Sequence, residues 1–74
     1  MDIHSLTYFH KTAELEHMTK AANELRVAQP SLCRTISLLE EELGVQLFDR
    51  EGKRIRLNAY GAVVQTHTAH ILQE

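Results

Sequence analysis

Four side chains between positions 29 and 35 have the types and spacing to do chemistry on a partner: Gln29, Ser31, Arg34 and Thr35. A carboxamide, two hydroxyls and a guanidinium are short or forked donors and acceptors. Arginine matches O6 and N7 of guanine, and glutamine matches N6 and N7 of adenine. They occupy the first half of a segment in which Leu32, Ile36, Leu39 and Leu43 recur at i, i+4, i+7 and i+11. That spacing predicts a helix with one buried stripe. By helical rotation Pro30, Arg34, Ser37 and Glu41 lie opposite the stripe, with Ser31 and Leu38 on one flank and Cys33 on the other. The exposed start of this helix is polar and carries an arginine, and its exposed end is acidic. Pro30 falls in the first turn, where its missing N–H has no intrahelical partner to lose. There it can meet a thymine methyl group or a sugar. Gly44 is placed to end the helix.

The elements that must hold these groups are also written in the spacing. Ile3, Leu6, Phe9 and Ala13 predict a first helix from about Ile3 to Leu15, with Asp2 as its N-cap. Met18, Ala21, Ala22 and Leu25 predict a second, from Met18 to Leu25, capped by His17 or Thr19. The turn Arg26-Val27-Ala28 is too short for the second and third helices to lie antiparallel, so they cross steeply. That is a helix-turn-helix, and the paired alanines let the supporting helix come close. After Gly44 the period changes. Gln46 to Asp49 reads as a short strand or extended segment, Glu51-Gly52-Lys53 as a turn, and Arg54 to Leu57 as a strand. The resulting basic-tipped ribbon is a wing. Asn58 then caps a last helix with a stripe of Tyr60, Val64, His67 and Ile71, and Val63 beside it. Its apolar circumference exceeds what a small core needs.

Around the third helix stand further candidates for phosphate contact. Thr19 and Lys20 begin the second helix, where hydroxyl, ammonium and free backbone N–H groups converge. Arg50, Lys53 and Arg54 lie on the wing, within reach of phosphate or a minor groove. Arg50 has an alternative role, pairing with a helix carboxylate such as Glu40 to hold the ribbon. Arg56 is expected to run along the surface. Cys33 borders the polar face as a small neutral residue, with a redox role as the less favoured reading. His67 and His70 have a spacing that can chelate a metal on a helix, but no third ligand is evident.

Composition bounds the rest. Seventy-four residues, 43% of them hydrophobic, make one small domain with a marginal core. With a single cysteine no internal disulfide exists, so a second copy of the chain is the expected source of extra burial. The lone thiol, the lack of an apolar run long enough for a membrane span and the lack of a signal-peptide core lead to a cytoplasmic expectation, with no membrane partner. Net charge is -2, which argues against indiscriminate polyanion binding. The charge is zoned, however. Lys20, Arg26 and Arg34 face only Glu24 in one stretch, and Arg50, Lys53, Arg54 and Arg56 face only Glu51 in another. Glu40, Glu41, Glu42 and Asp49 lie between. Such zoning lets one side meet DNA while another avoids it.

The run AANELRVAQPSLCRTISLLEEELGVQLFDR, followed by RIRLNAYG, resembles the DNA-binding domain of LysR-type transcriptional regulators. The matching positions are Ala21-Ala22, Leu25, Gln29-Pro30, Arg34, Leu39-Glu40, Leu43-Gly44, Leu47-Phe48, Arg50, Leu57 and Gly61. They span nearly the whole chain. Ala28 and Cys33 stand where the family commonly has serines, Asn58 where it has a threonine, and His17 where it has a small residue. The resemblance implies a mainly α, winged helix-turn-helix fold: a three-helix core, a short two-stranded β wing and a C-terminal linker helix. It divides the chain into a DNA-binding domain over 1–58 and the start of a linker and dimerisation helix over 59–74.

The function implied is sequence-specific binding of double-stranded DNA by a homodimer, with a tetramer open to a full-length protein. The site implied is an inverted repeat of T-N11-A type, in the nucleoid. The dimer seam would hold Tyr60, Val64, His67 and Ile71. A small-molecule inducer would act only through a C-terminal domain that this sequence lacks, which makes the chain a fragment or truncated product. No cofactor, metal or catalytic role is implied. The alternative reading is a winged-helix protein-interaction module that does not bind DNA, slightly supported by the acidic total charge.

Overall fold

The computed structural model describes residues 1–52 and 54–73; the expected wing residue Lys53 lies outside the described residues. Helices α1 (Ile3–Leu15), α2 (Met18–Leu25) and α3 (Gln29–Leu43) are followed by strands β1 (Phe48–Glu51) and β2 (Arg54–Leu57) and helix α4 (Ala59–Leu72). The fold is a three-helix core with an antiparallel two-stranded wing and a last helix laid against α1 and β2. Among the described residues no helix is long and apolar enough to cross a membrane.

Each helix starts and stops for a local reason. Asp2 accepts from Ser5 N–H at 2.8 Å and caps α1; this bond holds the Asp2 carboxyl below its ordinary value. For α2 the cap is His17, whose Nδ1 accepts from Lys20 N–H at 3.2 Å. Position decides over chemical type here, because Thr19 already lies inside the helix. The α2 end turns through Arg26 at φ 59°, and Val27 N–H reaches back to the Ala22 carbonyl at 3.0 Å. That bond across the left-handed residue is a Schellman end, and it aims the chain into α3 within three residues. Ala28 caps α3 with backbone alone, forgoing roughly 1 kcal/mol that a serine hydroxyl there would supply. Gly44, at φ 73°, ends it.

The core joins all of these elements. Phe9, Leu32, Leu39 and Leu47 are fully enclosed, and Ala21 and Ala22 let α2 close on its neighbours. Each large side chain so enclosed contributes about 1.5–3 kcal/mol. Phe9 meets Phe48 of the wing, ring centroids 5.7 Å apart and tilted. The expected stripes face the core in α2 and α3: Ala21, Ala22, Leu32, Ile36 and Leu39 are buried, and Met18, Leu25 and Leu43 are half-buried against them. In α1 the stripe begins later than the spacing suggests: Ile3 is 59% exposed, Leu6 is half-buried and Phe9 is enclosed.

The wing also differs from the sequence expectation. β1 starts at Phe48, two residues after the expected Gln46, and Glu51 belongs to the strand opposite Arg54 instead of to the turn. Leu47 and Phe48 are both buried, so the chain descends into the core before pairing begins. Gly52 supplies the left-handed conformation the hairpin needs, at φ 63°.

Candidate nucleic-acid interface

The exposed starts of α2 and α3 and the wing carry Lys20, Arg34, Arg50 and Arg54, none of which has an ion pair among the described residues. Gln29, Pro30, Ser31 and Arg34 are all exposed on the first half of α3, while Cys33 and Thr35 are half-buried on its flanks. Arg34 has no ion pair among the described residues and Ser31 has no side-chain hydrogen bond there. Thr35 Oγ1 gives its proton to the Ser31 carbonyl at 3.0 Å, so it keeps only acceptor capacity for a partner. At the start of α2, Thr19 and Lys20 are exposed. Thr19 Oγ1 donates to Gln29 Oε1 at 3.0 Å, which brings the two helix starts together.

Strand register sorts the wing. Arg50 stands opposite Ile55, and Arg54 opposite Glu51. Cross-strand partners share a face, so Arg50 lies on the inner face with buried Ile55, and Arg54 on the outer face. The structure therefore does not gather Arg50 and Arg54 onto one surface. Arg50 instead shares a cleft of about 190 Å³ with Met18, Ser37, Glu40 and Gln46, beside α3. The alternative pairing of Arg50 with Glu40 is not formed. Glu40 Oε2 accepts from Leu47 N–H at 2.7 Å instead. On the outer face Arg56 Nε binds Glu51 at 3.0 Å, which leaves Arg54 without a carboxylate partner among the described residues.

Several of the carboxylates that outnumber these cations are engaged elsewhere. Lys11 joins Glu24 of α2 to Glu14 of its own helix, at 3.3 and 3.4 Å, and these bonds raise Lys11 above its ordinary value. Met1 pairs with Glu42. Glu16 Oε2 accepts from Leu57 N–H at 2.7 Å. Lys20, Arg26, Arg34, Arg50 and Arg54 have no such partner among the described residues. The formal charge of the chain thus understates the positive potential around α3.

Three residues that position the site carry no signal in the sequence periodicity. Glu40 holds the entry to the wing through Leu47, and Glu16 holds its exit through Leu57. Asn58 does more than cap α4: besides accepting from Gly61 N–H at 2.8 Å, it donates to the Gln46 carbonyl at 2.9 Å. The glutamates could have been suspected only as acids placed at a helix end beside a change of period.

On α4 the buried residues are Gly61 and Thr68, which face α1 and the wing. The stripe of Tyr60, Val64, His67 and Ile71 is centred about a quarter-turn away. Val64 is half-buried against the core, His67 is exposed, and Tyr60 and Ile71 are 62% and 55% exposed. Val64, His67 and Ile71 line an apolar groove with Met1, Leu6 and Leu43. Tyr60 lies outside that groove, on the same side as exposed Val63. Among the described residues no group of three or more metal-ligating side chains is assembled.

Comparison with known proteins places this arrangement. The model of the bacterial regulatory helix-turn-helix proteins of the lysR family matches residues 3–62. The HTH-type transcriptional regulator YybE of Bacillus subtilis (strain 168) is 43% identical over 74 residues, covering all of this chain and 25% of that protein. The regulator BsdA of the same organism is 45% identical over 73 residues, again 25% of its length. The chain thus spans about a quarter of the curated relatives it matches. In the crystal structure of the BenM_DBD/catB site 1 DNA complex the protein chain matches with a TM-score of 0.93 and 37% identity, over 99% of this chain and 81% of that one. The CbnR_DBD–DNA complex matches equally well, over 84% of its chain. With its helices, wing and motif residues in the family's order, this chain belongs to the LysR family of bacterial regulatory helix-turn-helix proteins.

Proposed function

We propose that this domain is the DNA-reading unit of a transcriptional regulator, and that it works as a homodimer on an inverted-repeat site. The observation that carries this reading is the exposed polar start of α3, with Gln29, Pro30, Ser31 and an Arg34 that has no ion pair among the described residues, set on a helix closely supported by Ala21 and Ala22. α3 enters the major groove. Arg34 and Gln29 meet base edges, with Ser31, Cys33 and Thr35 at the margins of the same contact and Pro30 against a methyl group or sugar. Lys20, Arg50, Lys53 and Arg54 bind phosphates or a minor groove, and Thr19, at the start of α2, lies beside Gln29. BenM and CbnR, the neighbours solved as DNA complexes, support this use of the fold.

Residues 1–58 form the reading unit and residues 59–74 begin the helix that joins two copies. The stripe of Tyr60, Val64, His67 and Ile71, exposed at all but Val64, supports that division, since a second α4 would cover it. A full-length regulator of this kind carries an inducer-binding domain beyond α4, assembles as a dimer or tetramer, and acts in the cytoplasm on the nucleoid. Domains of this kind are not enzymes.

The test is titration of the chain into duplex DNA carrying a T-N11-A palindrome and into a scrambled duplex, followed by fluorescence anisotropy and sedimentation. The palindrome binds more tightly, with two chains per site. Equal binding to both duplexes contradicts sequence-specific reading, and one chain per site contradicts the dimer.

A further inference from the structure

Thr19 and Gln29 belong to different helices, yet their exposed side chains meet, Thr19 Oγ1 donating to Gln29 Oε1 at 3.0 Å. A threonine hydroxyl has one proton. Given to Gln29, it is not available to a phosphate oxygen, and a phosphate diester has no proton to offer the hydroxyl's lone pairs. In this arrangement the bond also sets the sense of the carboxamide; the reverse sense would need Thr19 Oγ1 to accept from the amide and give its proton elsewhere. A free glutamine can turn over its last torsion and exchange a donor end for an acceptor end. Here the oxygen is held toward α2 and the NH2 is left as the outward group. The difference matters in a major groove. Guanine, adenine and thymine each offer an acceptor there, whereas cytosine offers an amino donor.

We propose that Thr19 is a positioning residue that holds Gln29 with its amide nitrogen outward, so that Gln29 selects a base edge bearing an acceptor and rejects cytosine. This rests on the reading of α3 as the groove helix. Thr19 acts on sequence preference through Gln29 and not as a phosphate ligand. Its neighbour Lys20, with no ion pair among the described residues, remains free to meet the backbone.

The experiment measures binding of the 74-residue chain to a palindromic duplex whose half-site is varied one base pair at a time. Gln29→Ala flattens the preference at one position and so identifies it. At that position the unmodified chain rejects cytosine. Thr19→Val, which keeps the side-chain shape and removes the proton, weakens the rejection by about fivefold, the worth of one ordinary hydrogen bond. Thr19→Ser keeps the rejection. If Thr19→Val leaves it intact, Thr19 does not position Gln29 and the proposal fails. If Thr19→Val lowers affinity equally for every base, Thr19 is a phosphate ligand and the proposal also fails. If Gln29→Ala changes no preference, Gln29 reads no base and the proposal falls while DNA binding stands. If the unmodified chain binds no duplex at all, the underlying reading falls with it.

Discussion

Gly61→Ala lowers the unfolding free energy of this domain by about 2–3 kcal/mol, the upper part of the usual cost of overpacking. A β-carbon at Gly61 would lie 2.2 Å from the Leu47 carbonyl oxygen and 2.5 Å from Leu57 Cδ1. Leucine can swing away, but the carbonyl cannot retreat cheaply. It accepts from Asn58 N–H at 3.0 Å, its own residue is fully buried, and Leu47 N–H is held by Glu40. Alanine has the better helix propensity by about 1 kcal/mol, which offsets only part of the clash. A domain of this size has a total stability of only roughly 4–11 kcal/mol, so the loss is a large fraction. Urea denaturation followed by circular dichroism measures it. Equal or greater stability in the variant would mean that α4 does not sit against the start of the wing as described.

Arg34→Ala weakens binding to the preferred palindrome by roughly 30-fold or more, because one bidentate base contact worth about 1–3 kcal/mol is lost in each of the two half-sites. The fold is unaffected, because Arg34 is exposed and pairs with no carboxylate among the described residues. Arg34→Lys separates two parts of the effect. It keeps the positive charge and hence the phosphate-driven salt dependence, but an ammonium cannot reproduce the guanidinium fork. Affinity for the palindrome therefore falls in the lysine variant while affinity for scrambled DNA is kept, so that discrimination between the two is lost. Anisotropy titrations at fixed salt measure both. A change of less than twofold in the alanine variant would remove Arg34 from the reading surface.

The helices were legible in the sequence because each carries its own evidence: apolar residues at helical spacing, a cap at the start, a glycine or tight turn at the end. The steep crossing of α2 and α3 followed from the length of the turn alone. What lay beyond periodicity was less legible. The strand boundary was displaced because Leu47 and Phe48 are both buried, which breaks the alternation a strand signal depends on. The bonds that hold the wing, from Glu16 and Glu40 to backbone N–H groups, join residues with no shared pattern. The cap of α2 fell to His17 over Thr19 by position, and Thr19 was thereby left to meet Gln29. On α4 the visible apolar stripe is not the buried one. Gly61 and Thr68, neither a strong hydrophobe, carry the packing because α4 comes too close to the wing for anything larger at Gly61.

The proposed DNA-binding surface is the start of α3 together with the start of α2 and the wing. It is tested most directly by following the backbone amide resonances of the chain as palindromic duplex is added. The largest shifts are expected to cluster at residues 19–20, 29–35 and 50–54. The acidic end of α3, around Glu41, moves little. Shifts concentrated on that acidic end or on α1, with the start of α3 unmoved, would contradict this assignment.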